Sequence, residues 1–176
     1  MRIFIFLAVT VLSLAGYSPP ALAAPDVGDP APALVVTRFD GKTFDLSALK
    51  GKVVIVNFWA TWCPSCQSEL SVFRSFYRHV HPHGLEMVAL SADRPRLRQG
   101  VKMMMEEYFF PGAMLGDAQI NGFGDPDLLP TTYIIDTKGV VRAVVKGSVT
   151  MDDLAHMVLP LLDETTPEPS GTAKSL

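Results

Sequence analysis

Val53-Val54-Ile55-Val56-Asn57-Phe58 is the stretch that most restricts how this chain can fold. A continuous β-branched run has no polar face, so it describes a strand buried on both sides, as in a covered central sheet. Directly after it, from about Pro64 to His79, Leu70, Phe73 and Phe76-Tyr77 recur at helical spacing, until Pro82 and Gly84 stop the helix. A buried strand handing over to an amphipathic helix is the opening of an α/β unit.

Further along, Leu85–Leu90 reads as a second buried strand. A second helix is expected over Arg96–Tyr108, with Leu97, Val101 and Met104 on one face, and a short strand over Pro111–Leu115. Thr132–Asp136 and Val140–Val145, joined by Thr137-Lys138-Gly139, predict an antiparallel hairpin, and Met151–Leu162 a final amphipathic helix. Upstream, Pro25–Pro32 is an extended lead-in. Leu34–Thr37 and Lys42–Leu46 flank Asp40-Gly41 as another hairpin, and Ser47–Lys50 forms a helical turn ended by Gly51. The expected architecture is α/β: one domain with a central mixed sheet, helices on both faces and an added N-terminal hairpin. No internal repeat is visible.

The ends differ from the middle. Arg2, then the apolar run Ile3–Leu14, then Ala21-Leu22-Ala23 form a secretory signal over residues 1–23, with cleavage after Ala23. The run is short for a bilayer span of roughly 20 residues, and an uncleaved membrane anchor is the alternative. The folded unit is expected over 24–162, and the polar Pro-containing tail, 163–176, reads as disordered. Losing Arg2 leaves 14 basic against 18 acidic residues, a net charge of −4. No basic stripe favours nucleic acid as a partner, and a monomer is expected.

Two cysteines, Cys63 and Cys66, are all the chain contains. Structural disulfides of exported proteins stabilise by closing long loops, and a bridge across two intervening residues closes almost none. The pair is therefore chemical. Its place at the helix start matters, because unpaired N–H groups and the helix dipole favour an anion there. Thiolate is the attacking species in disulfide exchange. Cys63 is accordingly the expected nucleophile and Cys66, one turn on and more buried, the resolving thiol. Pro64 suits the first helical turn. Such a pair needs no cofactor beyond its own disulfide, and no metal site is assigned.

Rival uses of the same residues are weaker. Half a zinc site would need four ligands completed by histidine. A peroxidatic cysteine would want Pro and Thr or Ser upstream, where Val56 and Ala60 stand. His79, His81 and His83 are interrupted by Pro82 and suit a helix C-terminus. Met103-Met104-Met105 points around a helix, not at one site. A Cu(I) delivery module using the Cys pair is the alternative function, because soft sulfur ligands favour Cu(I). An inert domain with a structural disulfide is a third. Arg94, Arg96, Arg98 and Lys102 precede Glu106-Glu107 as an ordinary solvated face.

Val53–Cys66, with Trp59-Ala60-Thr61-Trp62 leading into Cys63-Pro64-Ser65-Cys66, and then Leu129-Pro130-Thr131-Thr132-Tyr133-Ile134-Ile135-Asp136 resemble the TlpA/ResA-like branch of the thioredoxin superfamily, from about Gly28 to the last helix. The resemblance implies a periplasmic thiol–disulfide oxidoreductase working in the reducing direction. It implies electrons from a DsbD/CcdA-type membrane donor, and substrates such as apo-cytochrome c thiols or oxidase copper-site cysteines. Pro130 matches the family's cis-proline and Leu129 the residue before it, whose backbone meets the substrate. Trp62 is expected at the apolar rim and Trp59 in the core. Glu69 matches a carboxylate that tunes the thiols, against the alternative of a solvated acid stabilising the helix start. The sequence departs from the family at Asn121–Asp127, a loop expected to border the site and to bear on partner choice.

Overall fold

A computed structural model describes residues 24–163; the expected signal segment and the polar tail beyond Asp163 lie outside the described residues. The elements run β1 (Leu34–Thr37), β2 (Thr43–Asp45), β3 (Val53–Trp59), α1 (Pro64–Val80), β4 (Leu85–Ser91), α2 (Arg98–Glu106), β5 (Gly112–Met114), β6 (Ala118–Asn121), β7 (Thr131–Ile135), β8 (Val141–Lys146) and α3 (Met151–Asp163). A five-stranded sheet has the order β5-β4-β3-β7-β8, with β3 central, parallel to β4 and antiparallel to β7. Every residue of β3 is buried, as the unbroken apolar run requires.

Alternation along β3 divides its side chains between two cores. Val53, Ile55 and Trp59 pack with α1, α2 and α3, while Val54, Val56 and Phe58 pack with β1, β2 and β7. This corrects the expectation of helices on both faces. Among the described residues, no buried side chain of the three helices belongs to the second core, which the sheet β2-β1-β6 covers instead. The reason is topological. β5 lies beyond β4 in the direction already taken from β3 to β4, so two right-handed crossovers place α1 and α2 on the same face.

The N-terminal hairpin is present, with Val36 opposite Phe44, and Asp45 caps the turn Leu46–Leu49 by accepting the Ser47 N–H at 2.9 Å. A third strand, β6, extends it; only four residues long, it pairs with β1 in the register Leu34–Asn121, Val35–Ile120 and Val36–Ala118. The second helix is shorter than expected. Pro95–Leu97 form a 3₁₀ turn, which leaves Leu97 exposed and makes Val101 and Met105 the buried face, with Met104 only partly covered. Asp163 belongs to α3, not to the tail. That helix opens on a reciprocal cap in which Thr150 N–H donates to Asp153 Oδ2 and Asp153 N–H to Thr150 Oγ1.

Candidate active site

β3 ends at Trp59 and α1 begins at Pro64, with four residues between them. The turn between them is held from β4. Asp93 Oδ2 accepts the Thr61 N–H at 2.8 Å and the Ser91 hydroxyl at 2.8 Å, while Oδ1 accepts the Thr61 hydroxyl at 2.7 Å. Ala92 N–H donates to the Trp59 carbonyl, and the Gln67 side chain reaches back to the Thr61 carbonyl. The loop that presents Cys63 is thus fixed at both ends.

Cys63 is the N-cap of α1, one position earlier than first in the helix, and Pro64 is the first helical residue. Cys63 and Cys66 form a disulfide with Cα atoms 5.3 Å apart. Cys66 N–H donates to Cys63 Sγ at 3.2 Å, and Ser65 Oγ lies 3.4 Å from the same sulfur. One of the helix's orphan N–H groups is thereby aimed at the sulfur, the arrangement that stabilises a thiolate once the bond is reduced. Cys66 is fully buried and Cys63 nearly so, at 5% exposed.

Glu69 lies one turn beyond Cys66 on the same buried face and is 1% exposed, so it is not a solvated helix-start acid. Its Oε1 accepts the Val149 N–H at 2.9 Å and its Oε2 accepts Asn57 Nδ2 at 3.0 Å. Asn57 Nδ2 also donates to Thr132 Oγ1 at 3.0 Å. Burial pushes the Glu69 carboxyl up to about 7, against the opposing pull of the Val149 and Asn57 hydrogen bonds.

The Leu129–Pro130 peptide is cis. It sits at the start of β7, whose first residue pairs with Phe58 near the end of β3, so the backbone before β7 and the Cys pair share one end of the sheet. Trp59 is fully buried and Trp62 is 67% exposed. A groove of about 700 Å³ beside Trp62 is lined by Asp93–Pro95 and Asp125–Leu129. Leu129 and Trp62 line it; Pro130 is buried and does not. The loop 121–127 is anchored by Phe123, whose ring packs against Tyr133 and Phe58.

Asp93, Asn57 and Val149 were not singled out from the sequence. For Asn57 a signal existed: it is the one polar residue in an otherwise apolar buried strand. The rival ligand sets do not assemble. Among the described residues no three His, Cys, Asp or Glu side chains are grouped as for a metal ion. His79 bonds the Ser75 carbonyl and His81 that of Leu85. Met103 is exposed while Met105 is buried.

A mixed sheet whose central strand delivers a disulfide-bonded Cys pair to a helix N-terminus defines the thioredoxin-like class. The sequence profile of the AhpC/TSA family matches residues 27–144. The chain belongs to that family, in its TlpA/ResA-like branch, and is a thiol–disulfide oxidoreductase. It is 35% identical over 137 residues to the thiol–disulfide oxidoreductase ResA of Bacillus subtilis, covering 77% of this chain and 75% of that protein. With ResA of Bacillus cereus it shares 36% over 130 residues, 73% and 74% of the two chains. The crystal structure of a putative thiol:disulfide interchange protein DsbE from Chlorobium tepidum superposes with a TM-score of 0.68 at 25% identity, covering 78% of this chain and 98% of that one.

Proposed function

We propose that this chain is an exported enzyme that reduces protein disulfides, with Cys63 as nucleophile and Cys66 as resolving thiol. The observation that carries the reading is the Cys66 N–H directed at Cys63 Sγ at the N-cap of α1. In the dithiol form the Cys63 thiolate attacks one sulfur of a substrate disulfide; a mixed disulfide forms and the first substrate thiolate leaves. Cys66, deprotonated, then attacks Cys63 Sγ. The Cys63–Cys66 bond closes and the second substrate sulfur departs as a thiolate, so two electrons pass to the substrate.

Glu69, whose carboxyl is raised to about 7 and lies one turn from the buried Cys66, is placed to take the Cys66 proton and to oppose excessive stabilisation of the thiolate. Trp62 and Leu129 along the groove, with Pro130 shaping the backbone behind them, receive an extended substrate segment. The reducing direction, a DsbD/CcdA-type membrane donor and substrates among apo-cytochrome c thiols or oxidase copper-site cysteines follow from the family resemblance. So does a periplasmic location reached through the 1–23 signal. No observation on the site favours Cu(I) delivery.

Trapping tests the reading. In Cys66→Ala the mixed disulfide persists and mass spectrometry identifies the partner; capture by Cys63→Ala alone would reverse the two roles. The reduction potential decides direction: a value near about −120 mV, that of a strong oxidant, sinks the reductase reading.

A further inference from the structure

Asn57 Oδ1 is buried without a hydrogen-bond partner, although the Nδ2 of the same amide serves two. An unsatisfied buried carbonyl is costly, and here it lies on the far side of the amide from a titrating carboxyl. The hydrogen bonds around Glu69 explain the arrangement. Oε1 faces the Val149 backbone N–H, a donor in every state, so a proton added to Glu69 goes on Oε2. There it meets Asn57 Nδ2, which is also a donor. Two donors cannot share that contact. Rotating the Asn57 amide by half a turn removes the conflict, because Oδ1 then faces Oε2 and Thr132 Oγ1 together, and the threonine hydroxyl, able to donate or accept, reverses its bond.

We infer that Asn57 is a two-position positioning residue for Glu69, turning Nδ2 to the carboxylate and Oδ1 to the carboxylic acid, with the Thr132 hydroxyl following. Either position leaves one end of the amide unpaired, so neither is favoured by burial alone. The carboxyl is consequently hydrogen-bonded on both oxygens in both protonation states. That suits a group that takes up and returns a proton within each exchange cycle, and the inference rests on that reading of Glu69. The groups facing the carboxyl are few. β3 brings Asn57, β7 reaches it through Thr132 by way of Asn57, and the turn before α3 brings the Val149 N–H, while Cys66, one turn away on α1, is held in the disulfide.

The test uses the oxidised full-length protein and does not depend on exchange activity. The side-chain amide signals of Asn57 and the carboxyl carbon of Glu69 are followed by NMR from pH 5 to 9. The expected result is one shared midpoint, and loss of the pH-dependent Asn57 shift in Glu69→Gln. A static donor would shift with Glu69 as well, so the contacts decide: if the Asn57 Nδ2 protons keep their NOEs to the Thr132 side chain from pH 5 to 9, the amide does not turn and the inference is overturned. Failure of the trapping experiment above would remove the exchange reading and leave this result untouched.

Discussion

Val149 donates its backbone N–H to Glu69 Oε1 at 2.9 Å, tying the turn before the last helix to the helix that carries the cysteines, 80 positions earlier in the chain. Glu69 is thus a structural join as well as a titrating group, and its protonation is linked to stability. Its carboxyl has an ordinary value of 4.5 and is raised to about 7 in the fold. The native state therefore binds the proton more tightly than the unfolded chain. This group's contribution is fully present below about pH 4.5 and is lost as pH rises through 7. The ceiling is on the order of 3 kcal/mol, from the shift at about 1.4 kcal/mol per unit. Urea unfolding of the oxidised protein should show stability falling between pH 5 and 8, with the fall flattened in Glu69→Gln. An unchanged slope in that variant would place the pH dependence elsewhere.

Asp93 should matter to the site without touching a substrate sulfur. It accepts three hydrogen bonds, two of them from Thr61, in the turn that leads to Trp62 and Cys63. Asp93→Ala leaves a Thr61 N–H and two hydroxyls without their acceptor, at a cost of about 1–3 kcal/mol. The turn should also loosen. Reduced Asp93→Ala is expected to alkylate at Cys63 with an altered rate and pH profile, while Asp152→Ala, an exposed acid on α3, changes neither.

These partnerships explain what the sequence could and could not disclose. The buried strand Val53–Trp59, the Cys63–Cys66 junction and the hairpin of β7 and β8 are written locally, as runs, spacings and turns. Asn57 meets Glu69 across 12 residues, Thr61 meets Asp93 across 32, and Asn57 meets Thr132 across 75. No periodicity encodes such meetings; they exist only once the sheet order is known. β6 was hidden for the same reason, since four mixed residues become a strand by pairing with β1. So was the second face, where among the described residues none of the three long helices packs, because that depends on where β5 inserts and not on any helix's own pattern.

Two glycines should respond in opposite directions to alanine. Gly100 lies in α2 with open space where a Cβ would stand, so Gly100→Ala should stabilise by about 0.5–1 kcal/mol through helix propensity. At Gly122, which leads into the loop beside the groove, a Cβ would lie 2.6 Å from Pro32 Cβ and 3.0 Å from the Ala33 carbonyl oxygen. Gly122→Ala should cost about 1–3 kcal/mol as the loop is pushed off β1. Thermal melts of the two variants measure both, and equal melting temperatures would contradict the close approach of the loop to residues 32–33.

Trp62 should separate binding from stability. Its side chain is 67% exposed beside the groove, so Trp62→Ala should change unfolding free energy by no more than about 0.5 kcal/mol. A large aromatic at the rim of a docking groove is the kind of residue on which binding energy concentrates. For a protein disulfide substrate, kcat/KM is expected to fall about tenfold, equivalent to about 1.4 kcal/mol. A small disulfide that spans only the sulfur atoms gains nothing from the rim, so its reduction rate should be unchanged. Parallel assays with a protein and a small-molecule disulfide therefore read the groove directly. An equal loss on both would mean that Trp62 acts on the reactivity of Cys63 and not on substrate docking.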